Sequence, residues 1–206
     1  RQMLQQTARG YRAKRIPIDD EGRIPMKPFS KARGEDAVAS DVREVQRLER
    51  EWMREKGMEY EPDSEERQWE KLKKHNGEQL EALKTVLFGK YLSEGFVTVR
   101  SSFFDDYKNG VDNVLLAGDR VVCAFDDVNA GTMEQIAEKR HNVFFQAVRK
   151  GGAELKYGIT MKDEKIRPTH LKHLPVFYLS LTPEQVCKGI NGLGREADER
   201  EAFGLL

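Results

Sequence analysis

The sequence predicts an α/β fold: a mixed-strand sheet flanked by helices, in the order helix-strand-strand-strand-helix-strand, with a charged helical N-terminal extension. Three observations predict it. Apolar residues become dense only after Gly77. From there the periodicity switches from helical to alternating and back again. A run of three strand-like segments is followed by a helix that must return the chain to the sheet, which gives a layered α/β arrangement.

"EQLEALKTVLFGKYLSEG" places Leu80, Leu83, Leu87 and Tyr91 at helical spacing and closes at Gly95. "FVTVRSSFF" alternates as a strand does, with Val97 and Val99 on one face. "VDNVLLA" and "RVVCAFDDV" follow, joined through Gly118-Asp119, a short hairpin signal. "TMEQIAEKRHNVFFQAVRKGG" reads as a helix with a capping box at Thr132 and Gln135, and its stripe Phe144, Phe145 and Val148 reads as core. "AELKYGITM" and "LPVFYLSL" are strand-like, and "TPEQVCKGINGL" opens a helix with Thr182 as cap and Pro183 in first position.

Upstream, "RIPIDDEGRIPMKPFSKARGED" reads as an extended connector. "SDVREVQRLEREWMREKG" predicts a helix capped by Ser40, with Val42, Val45, Leu48 and Trp52 as a narrow apolar stripe. "SEERQWEKLKKHNG" offers a second short helix from Ser64. Neither carries enough apolar surface to form a domain alone, so they pack on the downstream domain or form a homo-oligomer with a second subunit. The expected organisation is an N-terminal arm with helices over residues 1–76, an α/β core over 77–190 and a tail over 191–206.

Composition bounds the function. Hydrophobic residues make up 38% of the 206 and charged residues 34%, the latter well above the usual ~25%. No apolar run approaches the ~20 residues a membrane helix needs, and the first residues show no leader pattern. Two cysteines, Cys123 and Cys187, are too few for a disulfide framework, so a reducing, cytoplasmic setting is expected. The net charge of zero hides an asymmetry: residues 1–30 are basic and residues 35–70 acidic. Such an arm contacts nucleic acid or folds onto an acidic face.

The stretch "SSFFDDYKNGVDNVLLAGDRVVCAFDDV" gathers Asp105, Asp106, Asp112, Asp126 and Asp127 around one hairpin. Carboxylates so placed need a cation, a proton or solvent exposure. Read blandly, several are turn residues at strand ends. Asp112 is harder to read that way, because it precedes a run with buried character. The element order with these acids resembles the PD-(D/E)XK nuclease-like fold, "NGVDNVLL" as its first motif and "VVCAFDDV" as its second. The resemblance covers residues 77–181 and implies a site for Mg²⁺ or Mn²⁺ at Asp112 with Asp126 or Asp127, hydrolysing phosphodiesters of DNA or RNA. It also admits Glu78 and Glu81 as further carboxylates.

Two carboxylates on adjacent strands can hold one hard divalent cation. A two-residue turn puts Asp127 on the face of Asp112, and a one-residue slip puts Asp126 there instead. The lysine of the second motif is absent: Val128 and Asn129 stand two residues after the aspartates. Lys156 and Lys139 are the candidates to face the phosphate. Without such a lysine the same fold serves as a non-catalytic module that binds protein or nucleic acid. Cys123 reads as a small buried hydrophobe, and His170 and His173 read as loop histidines.

Overall fold

Leu80, Leu83 and Leu87 recur on one side of a helix and are all but fully buried. They anchor the element against which the sheet is built. The computed structural model describes residues 1–55, 76–129, 133–162 and 165–206. The helix expected from Ser64 and the cap at Thr132 lie outside the described residues.

The described elements are α1 (Gln2–Ala13), α2 (Ser30–Arg33), α3 (Glu35–Glu55), α4 (Asn76–Tyr91), β1 (Phe96–Arg100), α5 (Phe103–Asn109), β2 (Asn113–Ala117), β3 (Arg120–Asn129), α6 (Met133–Arg149), β4 (Ala153–Lys162), β5 (Lys165–Leu174), β6 (Val176–Leu181), α7 (Pro183–Gly192) and α8 (Glu196–Leu205). The protein is thus α/β, a six-stranded sheet flanked by helices with a helical N-terminus. Strands β1 to β5 follow one another in antiparallel order. Strand β6 pairs with β3 in parallel, from Ala124 opposite Val176 to Asn129 opposite Leu181. The outer edge of β3 is therefore shared, β4 meeting it at Arg120 and β6 along its second half.

Five elements differ from expectation, the first being the short helix α2 inside the stretch read as an extended connector. Helix α3 starts five residues before Ser40, and its buried row is Val38, Asp41, Val45, Glu49 and Met53, with Val42 exposed. "SSFFDDYKN" is a helix rather than a strand end: the Ser102 hydroxyl accepts from Asp105 N, and Gly110 closes it in the left-handed region. "KIRPTHLKHL", read as loop, is edge strand β5. Phe144, Phe145 and Val148 are exposed, and Val143 is the buried one among the described α6 side chains. The C-terminal residues form α8, packed on α4 through Leu83, Leu87 and Ala202.

The N-terminal residues are not a separate layer. Ile16, Ile18, Ile24, Phe29, Val38 and Val45 share one apolar cluster with Val97, Val114, Leu155 and Tyr157 of the sheet. Of the two expected settings for the upstream helix, α3 takes the downstream domain. The segment around Arg23 lies beside β1: Ile24 N donates to Arg100 O at 3.0 Å and Arg100 N donates to Gly22 O at 2.9 Å.

Candidate functional site

Asp112 stands one residue before β2, where the backbone leaves the sheet. Its N–H donates to Phe125 O at 2.9 Å, and its Oδ2 accepts from Asp127 N at 2.5 Å. The hairpin turn is the two-residue Gly118-Asp119, with Ala117 opposite Arg120. A bulge beside Leu115 then shifts the register, so that Asn113 meets Phe125. The same register sets Asp112 opposite Asp126, the slipped alternative, reached through a bulge instead of a longer loop.

Consecutive strand residues point to opposite faces, and Asp126 and Asp127 part accordingly. The Asp127 carboxylate binds Lys84 Nζ of α4, and both side chains are shut off from solvent. Lys84 also lies 4.5 Å from the Phe125 ring centre. Asp126 is buried, in register with Tyr178 of β6. Lys156 is spent elsewhere: its Nζ pairs with Asp41 Oδ2 at 2.6 Å and lies 4.5 Å from the Phe104 ring. Lys139 falls within α6, and its side chain lies outside the described residues.

The acids that do converge come from α4 and α5. Oxygens of Glu78, Glu81 and Asp106 all lie within 4.8 Å of one another. Two buried guanidiniums sit among them. Arg23 Nη1 is 2.9 Å from Asp106 Oδ2, and its Nη2 is 3.4 Å from Glu81 and 3.6 Å from Glu78. Arg100 donates to Glu81 through Nε at 3.0 Å and Nη2 at 2.9 Å, and also binds Glu78. Glu21 lies 3.9 Å from Arg100 Nη1. The Arg23 guanidinium is also 4.2 Å from the Phe103 ring centre, a cation–π contact.

Four carboxylates thus face two guanidiniums. Burial pushes Glu81 up to about 8, only partly offset by Arg100. Burial likewise lifts Asp106 to about 7, with Arg23 opposing and Asp112 and Glu78 adding to the rise. Arg23 is raised overall: burial and Arg100 pull it down, and Asp106, Glu78 and Glu81 outweigh them. Burial thus raises the carboxyls of Glu81 and Asp106 towards protonation within an ionic network held by Arg23 and Arg100.

Next to it, Asp105 is fully buried and accepts from Ser102 Oγ, Asn109 Nδ2 and the backbone N–H groups of Lys156 and Tyr157. It receives these two consecutive N–H groups of β4 where the β4–β5 register is irregular, between Leu155 and Gly158.

Of the residues that converge, sequence reasoning named Glu78, Glu81 and Asp106 among its acids, and missed Arg23 and Arg100. Arg100 carried a signal: it ends an alternating strand directly before the acidic stretch. Arg23 carried none, because its role depends on a contact across 83 residues of chain. Compared with known proteins, the chain matches no family model, no curated protein and no solved structure. Among the described residues, no helix is long and apolar enough to cross a membrane.

Proposed function

We propose that this chain is a non-catalytic binding module of nuclease-like topology, with nucleic acid as its partner. The observation that carries it is the placement of Arg23 and Arg100 among Glu78, Glu81 and Asp106. A nuclease of the PD-(D/E)XK type presents such acids to Mg²⁺. Here each of the three already accepts from an arginine, and an ion placed between their oxygens would lie beside a buried guanidinium. Asp127 is neutralised by Lys84. This donor set fits guanidinium better than a divalent cation, so no hydrolytic step is derived from it. The parallel pairing of β6 with β3 after α6, and Asp112 at the head of β2, support the nuclease-like topology.

A second reading is metal-dependent phosphodiester hydrolysis in the cytoplasm. It is favoured by Asp112 lying opposite Asp126 and by the excess of four carboxylates over two arginines. Incubation of the protein with single- and double-stranded DNA and RNA in Mn²⁺ separates the two. The module binds and leaves every substrate intact. Cleavage that disappears in Asp112→Asn, with unchanged melting, replaces it with the enzyme.

Two cations of the basic arm are already engaged. Arg12 pairs with Asp20 at 2.6 Å and Arg23 is buried, so these two cations serve contacts within the chain.

A further inference from the structure

From Lys139 to Ala153 the chain contains no Asp or Glu, in a protein with 35 acidic and 35 basic residues over its whole length. This stretch is the second half of α6 and the turn into β4. Val143 faces inward, and the opposite side exposes Phe144 and Val148 at 63% and 62%, with Phe145 at 45%. Arg149 lies over the Phe145 ring, 5.8 Å from its centre. Exposed phenylalanines interleaved with cations are unusual on a surface that does not bind.

The strip continues into a built cleft. Where α6 ends, Lys150, Lys172 and His173 border a space of about 330 Å³. Lys172 and His173 are consecutive on β5 and would ordinarily point to opposite faces. His173 has φ +59°, and that left-handed turn brings both side chains to the same cleft. Gly151 and Gly152 make room for it: a Cβ on Gly151 would stand 2.9 Å from the His173 ring, and one on Gly152 would stand 2.4 Å from Leu174 O. The one carboxylate on the cleft wall, Glu154, is engaged by His170 at 2.6 Å. Lys150 and Lys172 have no carboxylate partner among the described residues.

We propose that this strip binds one single strand of nucleic acid, bases stacking on Phe144 and Phe145 and phosphates entering the cleft of Lys150, Lys172 and His173. Aromatic platforms beside a cationic groove are the chemistry that holds single strands without sequence preference. A duplex hides its bases from such a platform. Charge complementarity selects the occupant: the acid-free strip meets a polyanion. An interfacial membrane helix needs a broad apolar face, whereas the apolar residues that α6 exposes are Phe144, Phe145 and Val148, with α6 itself packed on β3 and β6. The inference rests on the nucleic-acid reading above and names its surface.

The test is binding of fluorescent single-stranded and duplex RNA and DNA oligonucleotides, and of anionic phosphatidylserine vesicles, over a salt series. Phe144→Ala with Phe145→Ala is expected to weaken single-strand binding roughly 10- to 100-fold, as expected for lost stacking. Lys150→Glu with Lys172→Glu is expected to flatten the salt dependence by about 1 to 2 in log–log slope. Both pairs are exposed, so melting is expected to stay unchanged. Binding that survives both variants, or equal affinity for duplex, overturns this surface and leaves the nucleic-acid reading standing. No binding to any oligonucleotide at low salt overturns that reading itself, and vesicle binding in its place assigns the strip to a membrane surface.

Discussion

Arg23 and Asp106 meet at 2.9 Å across 83 residues of chain, joining the N-terminal segment to the helix that precedes β2. Around that contact two buried arginines face four carboxylates, of which Glu21 and Glu81 are buried and Glu78 and Asp106 partly exposed. The arrangement ties together four parts of the chain: the segment beside β1, strand β1 itself through Arg100, helix α4 and helix α5. Its strength lies in the completeness of the set. Removing one member of a buried ionic network leaves its partners charged and unpaired.

Arg23→Met tests this directly. The variant leaves the acids facing Arg100 alone, and a loss of about 3–5 kcal/mol in unfolding free energy is expected. Faster amide exchange at Ile24 and Arg100, whose N–H groups bond across the same seam, is expected with it. A loss below about 1 kcal/mol in urea unfolding would mean that the network is incidental to folding.

The pH dependence follows from the raised acids. Glu81 and Asp106 titrate at about 8 and about 7 when folded, well above the ordinary range of about 4. Between pH ~4 and ~8 the folded state therefore binds protons that the unfolded state has released, and stability falls as pH rises. This contribution is complete below pH ~4 and lost as pH climbs through 7 to 8. Glu81→Gln fixes the neutral form, so the decline from pH 5 to pH 8 is expected to flatten. Urea midpoints at several pH values measure it, and equal slopes in the two proteins would contradict it.

Lys84 and Asp127 make the second buried pair. Lys84→Met leaves a carboxylate buried alone and is expected to cost about 3–5 kcal/mol. Adding Asp127→Leu removes that charge, and the double variant is expected to regain most of the loss. Losses that simply add would show that the two side chains act independently.

Asp105→Asn turns two of its four donors against an amide N–H₂. A loss of about 2–4 kcal/mol is expected, since hydrogen bonds to a charged acceptor are among the stronger ones. Exchange protection at the Lys156 and Tyr157 amides, both donors to Asp105, is expected to fall more than elsewhere in β4.

Much of the fold was legible because periodicity reports burial. Leu80, Leu83 and Leu87 marked α4, and the alternation through Val97 and Val99 marked β1. Thr182 and Gln185 form the capping box that their spacing announces. The misses have separate physical causes. Helix α5 carries a short Ser-x-x-Asp start at Ser102 and Asp105, masked by the alternating run before it. Edge strand β5 holds Pro168 and exposed cations, features that protect an edge from further pairing and blur its pattern. On α6, Phe144, Phe145 and Val148 sit at core-like spacing, yet α6 turns Val143 inward. Hydrophobicity alone does not say which side a neighbour covers.

The acids themselves were legible as an unusual gathering, but what neutralises them was not. Asp126 and Asp127 were interchangeable in the sequence because a bulge beside Leu115 decides the register, and bulges leave little trace in composition. Arginine looks the same in sequence whether it is solvated or buried. The cations that close this site come from positions 23 and 100, neither near the lysine position that the nuclease pattern supplies.

The most direct test of the account is thermal unfolding at neutral pH with and without millimolar Mg²⁺ or Mn²⁺, comparing the natural sequence with Asp112→Asn. A group that binds only the folded state raises the melting temperature by mass action. With Arg23 and Arg100 seated among the acids, both proteins are expected to melt at the same temperature with or without the ion. A rise of several degrees in the natural sequence that vanishes in Asp112→Asn would contradict the arginine-locked site and establish a metal site in its place.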